Sequence, residues 1–101
     1  MIHVIADVHI APGRRDEFLE AFRRLMPRVH AEEGCIEYGP TVDVATGIAL
    51  QRRRENVVTV VEKWASIAAL EAHLAAPHML DYRERVKDLV TNVELRILEP
   101  V

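Results

Sequence analysis

The sequence contains a single cysteine, Cys35, among its 101 residues. One thiol cannot form a disulfide within the chain, so we expect a reducing compartment. No basic-then-apolar segment precedes the first predicted strand, and no apolar run approaches the ~18 residues that span a bilayer. The sequence therefore predicts a cytoplasmic protein with no signal peptide and no integral membrane segment.

The chain also lacks a basic excess, since 13 Lys and Arg stand against 16 Asp and Glu, a formal net charge of −3. Nucleic-acid proteins usually concentrate basic residues on one face, so we expect no nucleic-acid partner. Glycine and proline are scarce, with four and five copies, while half of the residues are hydrophobic. This is the composition of an ordinary globular protein, and its length predicts one domain, 1–101.

The stretch 62–79 carries the most distinctive residues of the chain. It contains the only tryptophan, Trp64, and two of the five histidines, His73 and His78. The apolar run that Trp64 closes, 57–64, is typical of a strand. An indole, the carboxylate of Glu62 and two imidazoles around one strand-to-helix junction predict a pocket for a flat aromatic molecule.

A broken helix follows this strand. Ser66 is a natural N-cap, and the next apolar residues fall at i, i+3 and i+7, the spacing of a helix packed on a sheet: Ile67, Leu70 and Leu74. The tripeptide 75–77 ends this helix, and Pro77 suits the first position of a second helix, where its missing N–H is not needed. The helical spacing continues through four further residues: Met79, Tyr82, Val86 and Leu89.

The first part of the chain predicts a strand and a long helix. Strict apolar-polar alternation over 2–10 is typical of a strand with one apolar face. A helix is predicted over 14–33, with apolar residues at helical spacing: Phe18, Phe22, Leu25 and Val29. Pro27 lies inside this pattern and predicts a kink or a loosened turn. Gly34 suits the C′ position that ends the helix.

Two or three more strands complete the prediction. One runs from 35 to about 44, and Gly39–Pro40 places a bulge or a sheet edge within it, because proline cannot donate to the ladder. Residues 48–52 predict a short extra strand. The last strand, 92–98, alternates three apolar residues that we expect to point inward: Val93, Leu95 and Ile97.

The resulting order, β-α-β-(β)-β-α-β, predicts an α+β fold of the ferredoxin-like, split β-α-β kind, with the helices on one face of an antiparallel sheet. The other face needs a cover, and the apolar alternation of several strands makes a second copy of the chain the expected one. A domain of this length buries only roughly 60–65% of its unfolded surface. We therefore expect a homodimer in which the partner supplies burial around any pocket.

The positions of His73 and His78 at opposite ends of two helices predict different roles for them. His78, at the second residue of a helix, lies at the positive end of the helix dipole, which favours a neutral ring able to act as a base. His73, near a helix C-terminus, has the opposite bias and suits the holding of a developing anion. At i, i+5 they lie ~140° apart around an unbroken helix, so we predict no metal site. A capping or interface role for either histidine is the structural alternative.

Further residues are candidates for substrate binding. Tyr38 and Tyr82 can offer hydroxyls, and Met79 an apolar contact. Asp7 can point into the site or to a dimer interface. Trp64 is either a core residue or a stacking surface for the ligand. Glu62 shares a strand face with Trp64, and its carboxylate needs a partner there.

Three segments carry a family resemblance: EEGCIEYGP (32–40), EKW (62–64) and LEAHLAAPHM (70–79). Together they resemble the antibiotic biosynthesis monooxygenase family of dimeric α+β barrels, and within it the bacterial quinol monooxygenases. The similarity continues through TVDVATGIALQ (41–51), WASIAALEAHL (64–74) and RILEP (96–100), so it covers essentially the whole chain.

This resemblance implies a homodimer whose C-terminal strand reaches onto the partner, with an active site between sheet and helices in each subunit. It also implies oxidation of a dihydroxynaphthalene, a quinol resembling menadiol, by O₂ with no flavin, haem or metal. Such a quinol can donate one electron at a time once it has lost a proton. The protein must then remove that proton, hold the ring and exclude water, and a neutral histidine is the ordinary base for this task.

Other functions remain open at this point. Haem degradation occurs on the same fold, but it needs an axial histidine on the helix after the Trp strand. The chain after His78 contains no histidine, and position 7 is Asp where those relatives carry Asn. An isomerase of a small enolisable sugar derivative would use the same histidine base without O₂. A non-catalytic dimeric module that binds a small molecule is the third alternative.

Overall fold

The computed structural model describes residues 1–101. The elements follow in the order β1 (Ile2–Ile10), α1 (Arg15–His30), β2 (Cys35–Thr41), β3 (Val57–Trp64), α2 (Ile67–Ala75), α3 (Pro77–Val86) and β4 (Val90–Leu98). The four strands form one antiparallel sheet in the order β2-β3-β1-β4. The predicted α+β, ferredoxin-like fold is therefore confirmed, and no helix has the length and apolar character needed to cross a bilayer.

The hydrophobic core lies between one face of the sheet and the helices. The even-numbered residues of β1 are buried on this face, as the alternation predicts. Four residues of α1 pack over them at the predicted helical spacing: Phe18, Phe22, Leu25 and Val29. The largest buried side chain of the sheet, Trp64, stands at the end of β3.

The opposite, helix-free face is more polar than we expected. Beside Ile5 it carries His3, Asp7 and His9 of β1, because odd-numbered residues point to this side. Part of the face is covered by the loop 42–56: Arg54 donates to Asp7 at 3.2 Å. The apolar residues of the strands, from which we expected a second copy of the chain to cover the helix-free face, thus lie on the helix-bearing face.

The loop 42–56 corrects one prediction. No strand forms at 48–52, and β2 ends at Thr41, three residues before the expected end. Leu50 is almost fully exposed, so the segment has no surface against which a strand could pack. Local hydrogen bonds hold the loop instead, including one from the backbone N–H of Arg54 to Oδ2 of Asp43 at 2.8 Å.

The ends of α1 and β2 differ from the prediction in detail. The helix continues past Pro27 and ends at His30, so Gly34 closes a separate turn and is not the C′ residue. β2 runs through Gly39–Pro40 without interruption, and its register shift lies between Cys35 and Glu37. The strand pairs with β3 alone, which confirms the sheet edge, where a missing N–H is tolerated.

The broken helix forms as predicted, with one difference in its buried face. Ser66 Oγ accepts from the N–H of Ala69 at 3.1 Å, and Pro77 opens α3 after the extended residue Ala76. In α2, however, Leu70 and His73 are buried, while Ile67 is about half exposed and Leu74 about one-third exposed. The side of α2 that faces the sheet therefore carries an imidazole where we expected a leucine.

The last strand begins at Val90, two residues earlier than predicted, and forms the other sheet edge. Val93, Leu95 and Ile97 pair with Val8, Ala6 and Val4, so they lie on the helix-bearing face. They nevertheless remain about half exposed, because the helices do not extend over this edge. The predicted inward direction is therefore confirmed, but the three side chains are not buried within the single chain.

The two glycines with positive φ allow a test of the turn that leads into β2. Gly34 has φ +84°, and an added Cβ would lie 2.6 Å from Cβ of Ala69, whereas Gly13 has φ +80° and open space around it. We expect Gly34→Ala to lower the free energy of unfolding by about 2–4 kcal/mol, from backbone strain and overpacking. Gly13→Ala, the matched control, should cost about 1–2 kcal/mol from strain alone. Urea unfolding of both variants measures the difference, and equal losses would contradict the close contact with Ala69.

Candidate functional site

A cavity of about 410 Å³ opens between the helix-bearing face of the sheet and the helices α2 and α3. Small-molecule sites fall in this range, roughly 300–1,000 Å³. Twelve of its sixteen lining residues are hydrophobic. The apolar part of the wall includes Ala6, Val8, Phe22, Val60, Leu74, Met79, Val86, Val90, Val93 and Leu95.

Besides the charged residues Arg83 and Lys87, four polar side chains from four different elements interrupt this apolar wall. Tyr38 of β2 lies directly across the ladder from Glu62 of β3. His73 reaches the cavity from the last turn of α2, and Tyr82 reaches it from α3. A few polar groups converging on an apolar cavity are the usual composition of a site that orients a small organic molecule.

Glu62 is buried and accepts a hydrogen bond from the indole Nε1–H of Trp64 at 2.9 Å. Burial raises the pKa of Glu62 from its ordinary 4.5 to about 7, and the indole bond opposes this only in part. The partner that this carboxyl needs is therefore the tryptophan two residues further along the same strand face. At neutral pH the group can either hold or release a proton.

His73 is almost completely buried, with its ring packed against two aromatic side chains. The ring centroid of Trp64 lies 4.6 Å away and that of Tyr38 lies 5.4 Å away. Burial lowers the pKa of His73, and this effect outweighs the neighbouring carboxylate of Glu32, which acts in the opposite direction. The neutral ring is thus favoured, contrary to the bias that its place near a helix C-terminus predicted.

The carboxylate of Glu32 joins the two histidines. Its Oε2 accepts from Nδ1–H of His73 at 2.9 Å and from Nε2–H of His78 at 2.8 Å. Glu32 lies in the turn between α1 and β2, so this one oxygen connects three segments of the chain. The other ring nitrogen of His73, Nε2, has no hydrogen-bond partner in the protein and is not sealed from solvent. Because His73 lines the cavity, we infer that Nε2 opens into it.

The two tyrosines supply hydroxyl groups in their neutral form. Tyr38 stacks on Phe22 with ring centroids 5.3 Å apart, and Tyr82 meets the same ring edge to face at 6.1 Å. Burial raises the pKa of both phenols, so each keeps its proton at any physiological pH. Both can therefore donate a hydrogen bond to an oxygen of a bound molecule.

Five of the eight predicted site residues line the cavity: Tyr38, Glu62, His73, Met79 and Tyr82. Trp64 does not line the cavity: it is completely buried, donates to Glu62 and packs against His73. His78 opens instead onto a groove of about 450 Å³ between α1 and α3. The carboxylate of Asp7 lies on the helix-free face, where it accepts from the hydroxyl of Thr59 at 2.6 Å, and it is no part of this site.

Our sequence reasoning missed Glu32. The residue falls within the segment 32–40 that carried the family resemblance, but nothing in the local pattern ties it to histidines 41 and 46 positions later. The available signal was indirect: two histidines near a buried junction require an acceptor. No group of three or more His, Cys, Asp or Glu side chains meets the geometry of a metal site.

Comparison with known proteins finds a family and a relative that are both described as monooxygenases. The family model described as Antibiotic biosynthesis monooxygenase matches residues 1–85. The chain is 43% identical over 102 residues to the Probable quinol monooxygenase YgiN of Escherichia coli K12, covering 99% of this chain and 98% of that protein.

Solved structures agree with the fold. The chain is similar to PA3566 from Pseudomonas aeruginosa, with a TM-score of 0.81 and 27% identity over 99% of this chain and 93% of that one. It is also similar to Rv0793 from Mycobacterium tuberculosis, with a TM-score of 0.81 and 26% identity over 99% and 94% of the two chains.

The raised pKa of Glu62 predicts a pH-dependent stability. The folded protein binds more protons than the unfolded chain between pH 4.5 and about 7. The stability that this excess supplies is present below pH 4.5 and is lost as the pH rises through 7. Glu62→Gln keeps the acceptor for Trp64 but cannot ionise. We expect equal unfolding free energies at pH 3.5 and a variant more stable by on the order of 3 kcal/mol at pH 8.5.

Urea unfolding of both proteins at the two pH values measures this difference. A difference between the two proteins that stays constant with pH would contradict a protonated, buried Glu62.

Proposed function

Because this chain belongs to the antibiotic biosynthesis monooxygenase family, we propose that it oxidises an aromatic diol of the dihydroxynaphthalene class with molecular oxygen. The quinol and O₂ would give a hydroxyquinone and water. One oxygen atom enters the ring, and the other leaves with two hydrogens. The name of its relative YgiN supports a quinol as the substrate.

The shape and polarity of the cavity support a flat aromatic substrate. A wall of mostly apolar side chains favours burial of an aromatic ring system, which stabilises binding by roughly 25 cal/mol per Å² of apolar surface. A sugar derivative would leave many hydroxyls without partners on such a wall, which costs free energy for each one. The cavity therefore favours the quinol over the isomerase substrate.

The observation that carries the proposal is His73, a buried imidazole that lines the apolar cavity and whose Nε2 has no hydrogen-bond partner in the protein. A buried, neutral imidazole is a competent base for a phenolic proton near pH 7. This assigns the role of base to His73, which faces the cavity, and not to His78, which faces the groove. The hydroxyls of Tyr38 and Tyr82 would donate to the substrate oxygens and keep the diol in place.

The redox step needs no electron carrier beyond the substrate. The quinol loses one phenolic proton to Nε2 of His73, and the resulting anion passes one electron to O₂. The semiquinone and superoxide so formed combine at a ring carbon. The O–O bond of the ring hydroperoxide then breaks, the ring hydrogen leaves as a proton, and hydroxyquinone and water result. Apolar walls around the radical pair exclude water from this step.

We further propose that the active form is a homodimer in which the partner covers the outer edge of β4. This edge leaves Val93 and Leu95, which also line the cavity, about half exposed. Exposed apolar rows of this kind mark contact surfaces. A partner seated there would bury the row and close the cavity on its open side.

His73→Ala tests the proposed base. We expect oxygen uptake with reduced menadione to fall by about 10²–10⁴-fold, the usual contribution of a general base. His9→Ala is the control, because His9 lies on the other face of the sheet and pairs with Glu94 at 2.8 Å. The measurement is oxygen uptake above the autoxidation rate, on protein treated with a chelator and lacking visible absorption.

The outcomes separate the alternatives. If the wild-type protein binds the quinol tightly but oxygen uptake is no faster than the uncatalysed autoxidation, the protein is a binding module and not an enzyme. Full activity of His73→Ala would remove His73 as the base. Peroxide in place of water as the second product would identify an oxidase and not a monooxygenase.

The proposed dimer is tested by a matched pair of variants. Ile97 on β4 and Ile67 on α2 are both 47% exposed. We expect Ile97→Glu to shift the mass in analytical ultracentrifugation from dimer to monomer, because a charge cannot be buried without a partner. Ile67→Glu should leave the mass unchanged, and a dimeric Ile97→Glu protein would contradict this interface.

A further inference from the structure

The cavity and the outer groove are connected by a chain of three side chains. His73 at the cavity, Glu32 in the middle and His78 at the groove have side chains that are 2%, 13% and 19% exposed. The two hydrogen bonds are 2.9 and 2.8 Å long and end on the same oxygen, Oε2 of Glu32. Such short bonds to an ionised group are among the stronger ones in proteins.

These bonds determine where the protons of the imidazoles lie. An ionised carboxylate has only acceptors, so Nδ1 of His73 and Nε2 of His78 must both carry a hydrogen. A neutral His73 then has its lone pair on Nε2, the nitrogen that is open to the cavity. Without Glu32 either nitrogen could carry the proton, and the ring would have no fixed orientation.

We propose that Glu32 and His78 are positioning residues for the base His73. Glu32 holds the ring of His73 in its Nδ1–H form and stabilises the imidazolium. His78 lies at the outer groove and contacts the same carboxylate, so that a charge on His78 affects His73. This inference rests on the proposed quinol oxidation. It adds two residues that touch no substrate and act through His73 alone.

The stoichiometry of the reaction fits a holding role. Quinol and O₂ give hydroxyquinone and water with no net proton taken up or released. His73 can therefore return to oxygen the proton that it removed from the quinol. The pair of Glu32 and His78 needs only to keep the imidazolium in place between these two steps.

Other charged groups also face the two histidines. Around His73 these are Glu32, His78 and Arg83, with the phenol of Tyr38 alongside. Around His78 the groove contributes charges from α1 and α3: Glu17, Glu20, Arg24, Arg28, Asp81 and Arg85. Since Arg24 pairs with Glu20 and Arg85 with Asp81, Glu32 is the acid in direct contact with His78.

Glu32→Gln tests the carboxylate. The amide can donate to Nδ1 of His73 and so turn the ring to the Nε2–H form, which blocks the base. We expect kcat to fall by about 10²–10⁴-fold with little change in KM, as for the loss of an orienting carboxylate elsewhere. Glu33→Gln is the matched control, since Glu33 is the exposed neighbour and the change in charge is the same.

Nitrogen-15 NMR of the imidazoles provides a readout that does not depend on activity. We expect His73 in the Nδ1–H form in the wild-type protein and in Glu33→Gln, and in the Nε2–H form in Glu32→Gln. A purely structural role for Glu32 would lower stability without this change of tautomer.

His78→Gln tests the coupling to the groove. Glutamine can still donate to Glu32 but cannot acquire a charge. We expect less than a tenfold loss of kcat near pH 8. The acidic limb of the kcat/KM profile should move to higher pH, because the charge that His78 can carry lowers the pKa of His73 and glutamine carries none.

The inference is overturned if the wild-type protein oxidises the quinol while Glu32→Gln keeps its kcat and the Nδ1–H tautomer. It is also overturned for His78 if the pH profile of His78→Gln matches that of the wild type. Absence of oxygen uptake by the wild type would instead overturn the proposed function, and the NMR result would still decide the tautomer.

Discussion

The two hydrogen bonds on Oε2 of Glu32 set the geometry around which the site is built. They connect the turn after α1 with the end of α2 and the start of α3, three segments that the sheet alone does not hold together. A largely buried acceptor with two good donors is stable, and the loss of either donor removes one of its two partners. The contact thus joins His73 at the cavity to His78 at the start of α3, and the proposed tautomer of His73 depends on it.

In this small domain the densely packed core residues lie on either side of the cavity. The aromatic residues of α1 and β2 pack around Phe22, and Trp64 fills the far end of the sheet beside His73. The cavity lies between these groups and opens toward β4, the strand with the least covered apolar row. The open side of the cavity and the exposed edge of the sheet are thus the same region, so the proposed substrate site and the proposed partner contact adjoin each other.

Residue patterns predicted the fold because the local sequence of most helices and strands favours the structure that they adopt in the whole domain. Apolar patterning predicted the bounds of β1 and β3, and Ser66 with Pro77 predicted the break between α2 and α3. Predictions failed where tertiary contact decides: the loop 42–56 has apolar residues but no surface to cover, and the buried position of α2 is taken by His73 in place of Leu74. Five of the sixteen cavity-lining residues could be predicted from type and neighbourhood. Glu32 could not, because its contact with two histidines exists only after the turn and the helices come together.

The one-residue break at Ala76 has a consequence for how this chain can vary in length. Four residues separate His73 from His78, and each residue inserted or deleted in a helix rotates the remainder of that helix by about 100°. One added or missing residue between the two histidines would turn the second ring away from Glu32. We therefore expect insertions and deletions among related chains to collect in 42–56, which has no helix or strand, and to be absent from 73–78.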